Sequence, residues 1–368
     1  MNCRHFVMHW AIPINCNAKL DWYNTMTTKT KSPDKTRATG ATLPDKRTWN
    51  WHPELPLQDH SIFTWSRGPT WALKVLWNSW LPISDRLLVL GVSFLTWLYL
   101  SPSLETTQTF AFDWVGGVYL RNLTLIILVA GGMHLYLYTF KRQGNYLRYD
   151  KRPFHKKNAL FTFNSQFRDN VYWSIVSGVT VWTACEVVGL WAYANGYMPM
   201  LNFSEHPIWF VLWFVFLPMY GVFHFYWIHR LLHWGPLYRQ VHSLHHRNVN
   251  VGPWSGMSMH PVEHIGYLSS VLIHIILASH PIHFIFQLQQ KVLLAVSSHA
   301  GYEAVTAGDG SDVGLKVGDF FHQLHHRYYE CNYGEPEVPC DKWFGTFHDG
   351  TEEATAITRQ RAKKMRNS

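Results

Sequence analysis

The chain has 368 residues, which is long enough for two soluble domains or for one membrane domain with several spans. Aromatic residues make up 16% of it and charged residues only 15%, with 19 Trp and 18 Tyr, a balance typical of proteins whose rings lie at a membrane interface. Its five cysteines show no C-x-x-C spacing, which argues against a disulfide framework and against a zinc ribbon.

The N-terminal segment, residues 1–60, is polar and carries a basic run from Lys29 to Arg37. Its composition predicts disorder. The first sixteen residues contain an apolar patch, but a histidine and a proline interrupt it and no small-residue cleavage site follows. We therefore predict no signal peptide, and Met26 is an alternative start.

Apolar runs organise the next part of the chain. Between Pro69 and Pro82, apolar residues fall at helical spacing, which predicts a short helix in the membrane interface. Four later runs are predicted to span the membrane, residues 87–100, 122–140, 171–193 and 207–228, although the first is short for this purpose.

Two further apolar runs, residues 265–278 and 282–296, are separated only by "SHP". Each is too short to span comfortably, so we predict a re-entrant hairpin. The fold class expected is all-α: a multi-pass membrane protein with four transmembrane helices, this hairpin and a histidine-rich helical cap. We divide it into anchoring helices with a basic loop (61–170), a catalytic domain (171–351) and a polar C-terminal tail (352–368).

Basic residues indicate the orientation. The loop between the second and third spans holds Lys141, Arg142, Arg148, Lys151, Arg152, Lys156, Lys157 and Arg168. The loops predicted on the other side, residues 101–113 and 194–206, hold no Lys or Arg. By the positive-inside rule the basic loop is cytoplasmic, and every histidine cluster then lies on that face. Topology and anionic lipid explain the net charge of +8, and we predict no nucleic-acid partner.

Three histidine clusters follow the fourth span: "HRLLH" at 229–233, "HSLHH" at 242–246 and "HQLHH" at 322–326. On a helix each cluster lies on one face. Burying so many imidazoles without partners is costly, and a metal resolves the cost because neutral imidazole is a common ligand. The eight candidates exceed what one tetrahedral ion can use, which suggests two metals, and imidazole alone does not choose between iron, copper, nickel and zinc. They are His229, His233, His242, His245, His246, His322, His325 and His326.

A single histidine near a membrane surface is usually a polar tip at the headgroups. We assign His206, His274, His280 and His283 to that role. Three clusters on one predicted face, two of them with identical spacing, favour a metal site over chance.

The three clusters, in this order, resemble the histidine boxes of the integral-membrane fatty acid hydroxylase and sterol desaturase superfamily, over roughly residues 170–351. "LYRQVHSLHH", "HPVE", "HAGYE", "CNYG" and "DKWFGT" resemble the sterol desaturase branch. The resemblance implies two non-haem irons per chain, held by the eight box histidines. It also implies that O2 is a co-substrate and that a lipid, foremost a sterol-like one, is hydroxylated or desaturated.

Further site residues come with this resemblance. His299 is an expected ligand from the segment before the third box. Glu303, four residues later, stands where fatty acid 2-hydroxylases use a second histidine, and it is either a ligand or, preferably, an acceptor that orients an imidazole N–H. His260 and Glu263 are expected to support ligands, with His260 retained as a candidate ligand, and His264 is left open.

Substrate and electrons must both reach this centre. The lipid is expected to enter from the bilayer between the spans. "GDGSDVG" at 308–314 lacks the spacing of a nucleotide-binding loop and is read as a flexible loop. Because no cytochrome b5-like or flavin domain fits in the remaining sequence, a separate cytochrome b5, ferredoxin or reductase is expected as donor. The expected location is the bacterial inner membrane or the endoplasmic reticulum, with the active site on the cytoplasmic face.

Other functions remain to be separated. Within the superfamily, the alternatives are an alkylglycerol monooxygenase or a fatty acyl or carotenoid hydroxylase. From another class, a haem-binding membrane electron carrier would need two axial ligands on facing helices inside the bilayer, which adjacent histidine pairs outside the spans fit poorly. A zinc hydrolase is disfavoured because the chain has no H-E-x-x-H motif.

Overall fold

The computed structural model describes residues 49–58, 61–63, 68–81, 83–311 and 313–367. The expectations for residues 1–48, namely disorder, the absence of a signal peptide and a second possible start, lie outside the described residues.

The described chain is mainly helical, which confirms the predicted all-α class. Its helices are α1 (Gly68–Trp80), α2 (Asp85–Leu100), α3 (Phe112–Thr139), α4 (Gln166–Ala194), α5 (Pro207–Leu232), α6 (235–246), α7 (Pro261–Ile276), α8 (Pro281–Ser298), α9 (Phe320–Tyr328), α10 (Cys340–Trp343) and α11 (Glu352–Asn367). Two short antiparallel strands, β1 (Ala304–Thr306) and β2 (Gly314–Lys316), form a hairpin in which Val305 is opposite Leu315. The loop "GDGSDVG" runs between them.

Local sequence explains where the helices begin. The Ser84 hydroxyl accepts a hydrogen bond from the Leu87 amide and caps α2. Prolines occupy the first turn of α5 and α8, where the missing N–H costs nothing. His280 caps α8, since its Nδ1 atom accepts from the Ile282 amide at 3.2 Å.

Three helices, α3, α4 and α5, are long and apolar enough to cross a membrane, and α1 with α2, bent by 58°, makes a fourth candidate. The span predicted at 122–140 ends one residue beyond α3, and those predicted at 171–193 and 207–228 fall within α4 and α5. The first of these helices begins earlier than predicted, at Phe112, because the helix continues through Asp113 and Arg121. The short predicted span at 87–100 lies in α2, which needs α1 to complete a crossing.

The two short apolar helices α7 and α8 are separated as the sequence predicts, but α8 is surrounded by protein. It packs against α2, α4, α5 and the turn at Pro253–Met257. Almost every side chain of α8 is buried. The turn approaches so closely that a Cβ atom at Gly256 would collide with the Ala295 carbonyl. Because protein encloses α8, its length need not match the thickness of a bilayer.

The histidines assigned to headgroups behave differently from one another. His206 is exposed, as expected. His274 is fully buried and hydrogen-bonds Ser279 at 2.6 Å and Gln287 at 2.9 Å, so the headgroup assignment is wrong for it. It is also wrong for His283, which is fully buried and bonds the Phe210 carbonyl at 2.9 Å.

Contacts with distant residues hold described parts of both chain ends. Within residues 49–58, predicted to be disordered, Trp49 lies 3.4 Å beneath the Arg327 guanidinium. The polar tail predicted at 352–368 forms α11, and Arg361 donates from it to the carbonyls of Glu330 and Gly345 at 2.8 and 2.6 Å. These contacts reach across the chain, so local composition does not reveal them.

A buried ion pair joins α3 to α4. Arg121 contacts Glu186 at 2.5 Å, and the Asn122 amide donates to the second oxygen of Glu186 at 3.1 Å. The Arg121 side chain is 7% exposed and that of Glu186 is not exposed at all. Charges within membrane segments persist when they are paired, and this pair fixes the two helices together.

Replacing Arg121 with Met would leave the Glu186 carboxylate buried without a counter-charge. We expect the free energy of unfolding in detergent to fall by about 3–5 kcal/mol. Replacing both residues with Met should restore most of the loss, because no uncompensated charge then remains. If R121M unfolded at the same denaturant concentration as wild type, the ion pair would not stabilise the two helices.

Candidate metal centre

Nine histidines lie together where four helical elements meet. His229 is in the last turn of α5, His233 follows its end, three come from α6, His299 caps the end of α8, and three come from α9. The full set is His229, His233, His242, His245, His246, His299, His322, His325 and His326, and none is more than 6% exposed. The helical spacing of each cluster turns its rings towards one side, as the sequence predicted.

The nine rings divide into two groups. One contains His229, His233, His242, His246 and His325, and the other contains His245, His299, His322 and His326. Within each group the possible ligand atoms all lie within 4.8 Å of one another. Each adjacent histidine pair is split, since neighbouring side chains on a helix point in different directions: His245 joins one group and His246 the other.

The hydrogen bonds of the first group fix which ring nitrogens carry a lone pair. His229 donates its Nδ1 proton to the Tyr333 carbonyl at 2.7 Å, and His242 donates its own to Glu263 at 2.7 Å. With the Glu263 carboxylate ionised, as beside a bound cation, both Nε2 atoms of the neutral rings are acceptors. They lie 3.1 Å apart, and two lone pairs cannot hydrogen-bond to each other. A shared cation satisfies both.

The second group leads to the same conclusion. His299 donates its Nδ1 proton to the Ala295 carbonyl at 2.8 Å, which leaves a lone pair on Nε2. The Nε2 atoms of His299, His322 and His326 form a triangle with sides of 3.0 to 3.2 Å. Nitrogens bound at right angles to one ion at about 2.1 Å would lie about 3.0 Å apart. Both groups therefore fit metal ions that accept imidazole.

Burial keeps these rings in the form that binds metal. It lowers the pKa of His242 to about 3 and the pKa of His299 to about 4. Burial, with neighbouring imidazoles adding to it, holds the pKa of His245, His246 and His326 well below the usual range. These imidazoles are neutral near pH 7, as ligation requires.

A loop after the third cluster orients two ligands through its backbone. The carbonyl of Cys331 accepts from His325 Nδ1 at 2.6 Å, and the carbonyl of Tyr333 accepts from His229. Asp341 holds this loop, since its carboxylate accepts from the amides of Tyr333 and Gly334 at 2.8 Å each. The stretch "CNYG" thus supplies the carbonyls that accept from the imidazoles, and "DKWFGT" supplies the Asp341 carboxylate that holds them in place. Neither motif predicts this role, because backbone acceptors leave no signal in the side chains.

Glu330, which the sequence analysis did not single out, also lies beside the centre. Its carboxylate is 3.9 Å from His233 Nδ1 and accepts from the Tyr333 hydroxyl at 2.6 Å.

The remaining site residues predicted from sequence have separate positions. Glu263 contacts His242, as expected for a residue that orients a ligand. His260 caps α7 by accepting from the Val262 amide, and it does not belong to either imidazole group. His264 is buried and bonds Ser177 at 2.8 Å, which ties α7 to α4.

Glu303 does not reach the imidazoles in the described structure. The expectation assumed a helical offset from His299, but α8 ends at Ser298 and Gly301 has a left-handed φ of 75°. The carboxylate turns elsewhere, accepting from the Tyr149 hydroxyl at 2.7 Å and pairing with Lys316 at 3.3 Å. The predicted contact with an imidazole is therefore wrong.

A cavity of about 680 Å³ opens beside the imidazoles. Five of them line it: His229, His242, His245, His299 and His322. From there it runs past α5 and α8 to Trp71 and Val75 of α1. Its size is that of a pocket for a small organic ligand.

Comparison with known proteins agrees with this geometry. Residues 210–346, which contain all nine histidines, match the family model for fatty acid hydroxylase. No solved structure matches the chain.

Similar proteins include Delta(7)-sterol 5(6)-desaturases. One from Gibberella zeae is 30% identical over 127 residues, 33% of this chain and 37% of the relative. One from Aspergillus fumigatus is 29% identical over 168 residues, covering 44% and 48%. The Delta(7)-sterol-C5(6)-desaturase of Nicotiana tabacum is 31% identical over 135 residues, covering 36% and 48%. In all three, the match spans less than half of the relative's own length. Residues 210–346 are thus similar to the fatty acid hydroxylase family, and the matched relatives are sterol desaturases.

Proposed function

We propose that this protein is an O2-dependent, iron-dependent oxidoreductase that desaturates or hydroxylates a sterol-like lipid taken from the membrane. The observation that carries the proposal is the convergence of nine buried imidazoles in two groups beside one cavity. The names of the similar proteins support a sterol as substrate class. An alkylglycerol monooxygenase or a fatty acyl or carotenoid hydroxylase remains the alternative within the superfamily.

Two ions suit the ligand set better than one. Groups of five and four nitrogens exceed what a single tetrahedral zinc can bind, and iron accepts both imidazole and higher coordination numbers. When bound, two irons would supply oxidising power towards an unactivated C–H bond, which no acidic, basic or nucleophilic side chain provides.

The chain's own residues hold and orient the ligands. Glu263 keeps the proton of His242 on Nδ1, and the carbonyl of Tyr333 does the same for His229, so that both Nε2 lone pairs face the centre. Burial of the rings excludes bulk water from the reacting region. His260 caps α7 and is not one of the proposed ligands.

The lipid reaches the cavity by way of α1. Leu73 and Trp77 of this helix are 68% and 64% exposed, as suits a helix in contact with lipid, while Trp71 and Val75 line the cavity. Substrate can therefore pass from the bilayer to the imidazoles along one continuous space.

Electrons come from a separate donor, a cytochrome b5, ferredoxin or reductase, docking on the cytoplasmic face. A haem-binding carrier is a weaker second candidate, because haem takes two axial ligands while nine imidazoles converge here.

Purified protein should contain on the order of two irons per chain, one for each imidazole group. His245→Ala removes a nitrogen from the group of four, and we expect iron content to fall and lipid oxidation to be lost. Lipid mass spectrometry of aerobic cells would detect a gain of one oxygen or a loss of two hydrogens. His206→Ala, at an exposed site outside both groups, is the matched control and should behave as wild type.

Normal turnover in His245→Ala would overturn the metal-centre assignment. So would a single tightly held zinc together with activity that survives the removal of iron.

Glu263→Gln keeps the size of the side chain but removes the charge that orients His242. We expect metal affinity to fall roughly 10- to 100-fold, the usual effect of losing such a partner. Iron retention against a chelator measures this. Glu303→Gln is the matched control, because Glu303 contacts Tyr149 and Lys316 instead, and its iron retention should equal that of wild type. Equal losses in both variants would contradict the assigned roles.

The proposed topology puts the basic loop and the imidazoles on the cytoplasmic side. In a background without native cysteines, Glu205→Cys should react with a membrane-impermeant maleimide added to intact bacterial cells. Lys157→Cys should react only after permeabilisation. Both positions are exposed, so the difference in labelling reports the side of the membrane on which each lies. The reverse labelling pattern would invert the topology.

A further inference from the structure

One side chain of the cavity has no explanation in the proposed chemistry. Lys291 lies in the middle of α8 and is only 8% exposed. It lines the same cavity as the metal-binding histidines. In the described part of the chain, no carboxylate oxygen lies within 4.0 Å of its Nζ atom. Burying an ammonium group with no carboxylate in direct contact is expensive, so a purely structural role fits poorly.

The contacts of Lys291 leave some of its N–H donors without an acceptor. Its Nζ atom donates to the Gly221 carbonyl at 3.2 Å and lies 4.5 Å from the centre of the Tyr267 ring. An ammonium has three N–H donors, and this carbonyl takes one. The aromatic face stabilises the charge but accepts no full hydrogen bond. Two donors therefore remain for a ligand in the cavity.

The position of Lys291 relates it to the metal centre. Its Nζ atom is 5.4 Å from the centre of the Phe225 ring, and this ring stacks on His229 with centroids 4.8 Å apart. Both distances are measured to the centre of the Phe225 ring. Their sum, about 10 Å, is therefore the largest possible distance from the Lys291 Nζ atom to the centre of the His229 ring. If the polar group of a lipid binds at Lys291, carbons a few bonds from that polar group can lie next to the imidazoles.

The charge around Lys291 selects the kind of group. Glu335 lines the same cavity and is the carboxylate whose charge acts on Lys291. An anionic head group at Lys291 would bring a second acidic group next to this buried carboxyl, whose pKa burial already raises. A neutral hydroxyl avoids this, since its oxygen accepts from the ammonium.

We infer that Lys291 is a substrate-binding residue whose ammonium donates a hydrogen bond to a neutral hydroxyl group of the lipid. It thereby sets which carbon lies at the metal centre. The inference rests on the proposed function in taking the occupant of the cavity to be the lipid substrate.

The test is equilibrium binding of two matched sterols to the purified, iron-containing protein in detergent under argon. Cholestanol and cholestane differ only in the hydroxyl group. We expect wild type to prefer cholestanol by roughly 10- to 100-fold, the range for a hydrogen bond to a charged group. Lys291→Met should abolish this preference while leaving the affinity for cholestane unchanged. Lys157→Met makes the same substitution at an exposed position outside the cavity and should retain the preference.

Thermal unfolding separates binding from structure. Because no carboxylate contacts Lys291 directly, the melting temperature of Lys291→Met should stay close to that of wild type. A lower melting temperature with weaker binding of both sterols would assign Lys291 a structural role and overturn the inference. Absence of a preference in wild type, persistence of the preference in Lys291→Met, or tighter binding of cholestanol sulfate than of cholestanol would overturn it too.

Because the assay involves no oxidation, it is independent of the proposed activity. A protein that shows this preference but oxidises no lipid would support the binding site and contradict the proposed function.

Discussion

Nine neutral imidazoles buried with their nitrogens converging form the constraint on which the rest of this structure depends. Lone pairs 3.1 Å apart, as on His229 and His242, repel each other unless a cation lies between them. Every element around the centre contributes to holding this arrangement. The site is therefore a preorganised ligand set, and the free energy of folding the surrounding helices maintains it.

The burial of α8 follows from that constraint. This helix delivers His299 at its end, and the Ala295 carbonyl one turn earlier accepts the His299 Nδ1 proton. Enclosure by neighbouring helices and by the turn that contains Gly256 fixes where α8 ends. The loop held by Asp341 fixes the opposite side by presenting backbone carbonyls to His229 and His325. Backbone acceptors are rigid, so they orient the rings without adding a charge that competes for the metal.

The cavity joins the two environments that the proposed oxidation of a lipid requires. At one end are the buried imidazole nitrogens, and at the other is α1, with exposed apolar side chains beside the cavity lining. Lys291 contributes a buried amino group to the lining of this cavity. A group of this kind costs stability in the free protein, and such costs are typical of residues retained for binding.

How much of this follows from sequence depends on whether a feature is local. Helical spacing alone determined that each histidine cluster faces one way, and apolar run length determined the three long spans, because both follow from the geometry of a single helix. Only the tertiary structure decided that His245 and His246 join different groups, that Glu263 rather than Glu303 supports a ligand, and that His274 is buried. A left-handed turn at Gly301 redirects the chain before Glu303, and residues distant in sequence supply the partners of the others. Such contacts depend on how helices pack against one another, which no local pattern encodes.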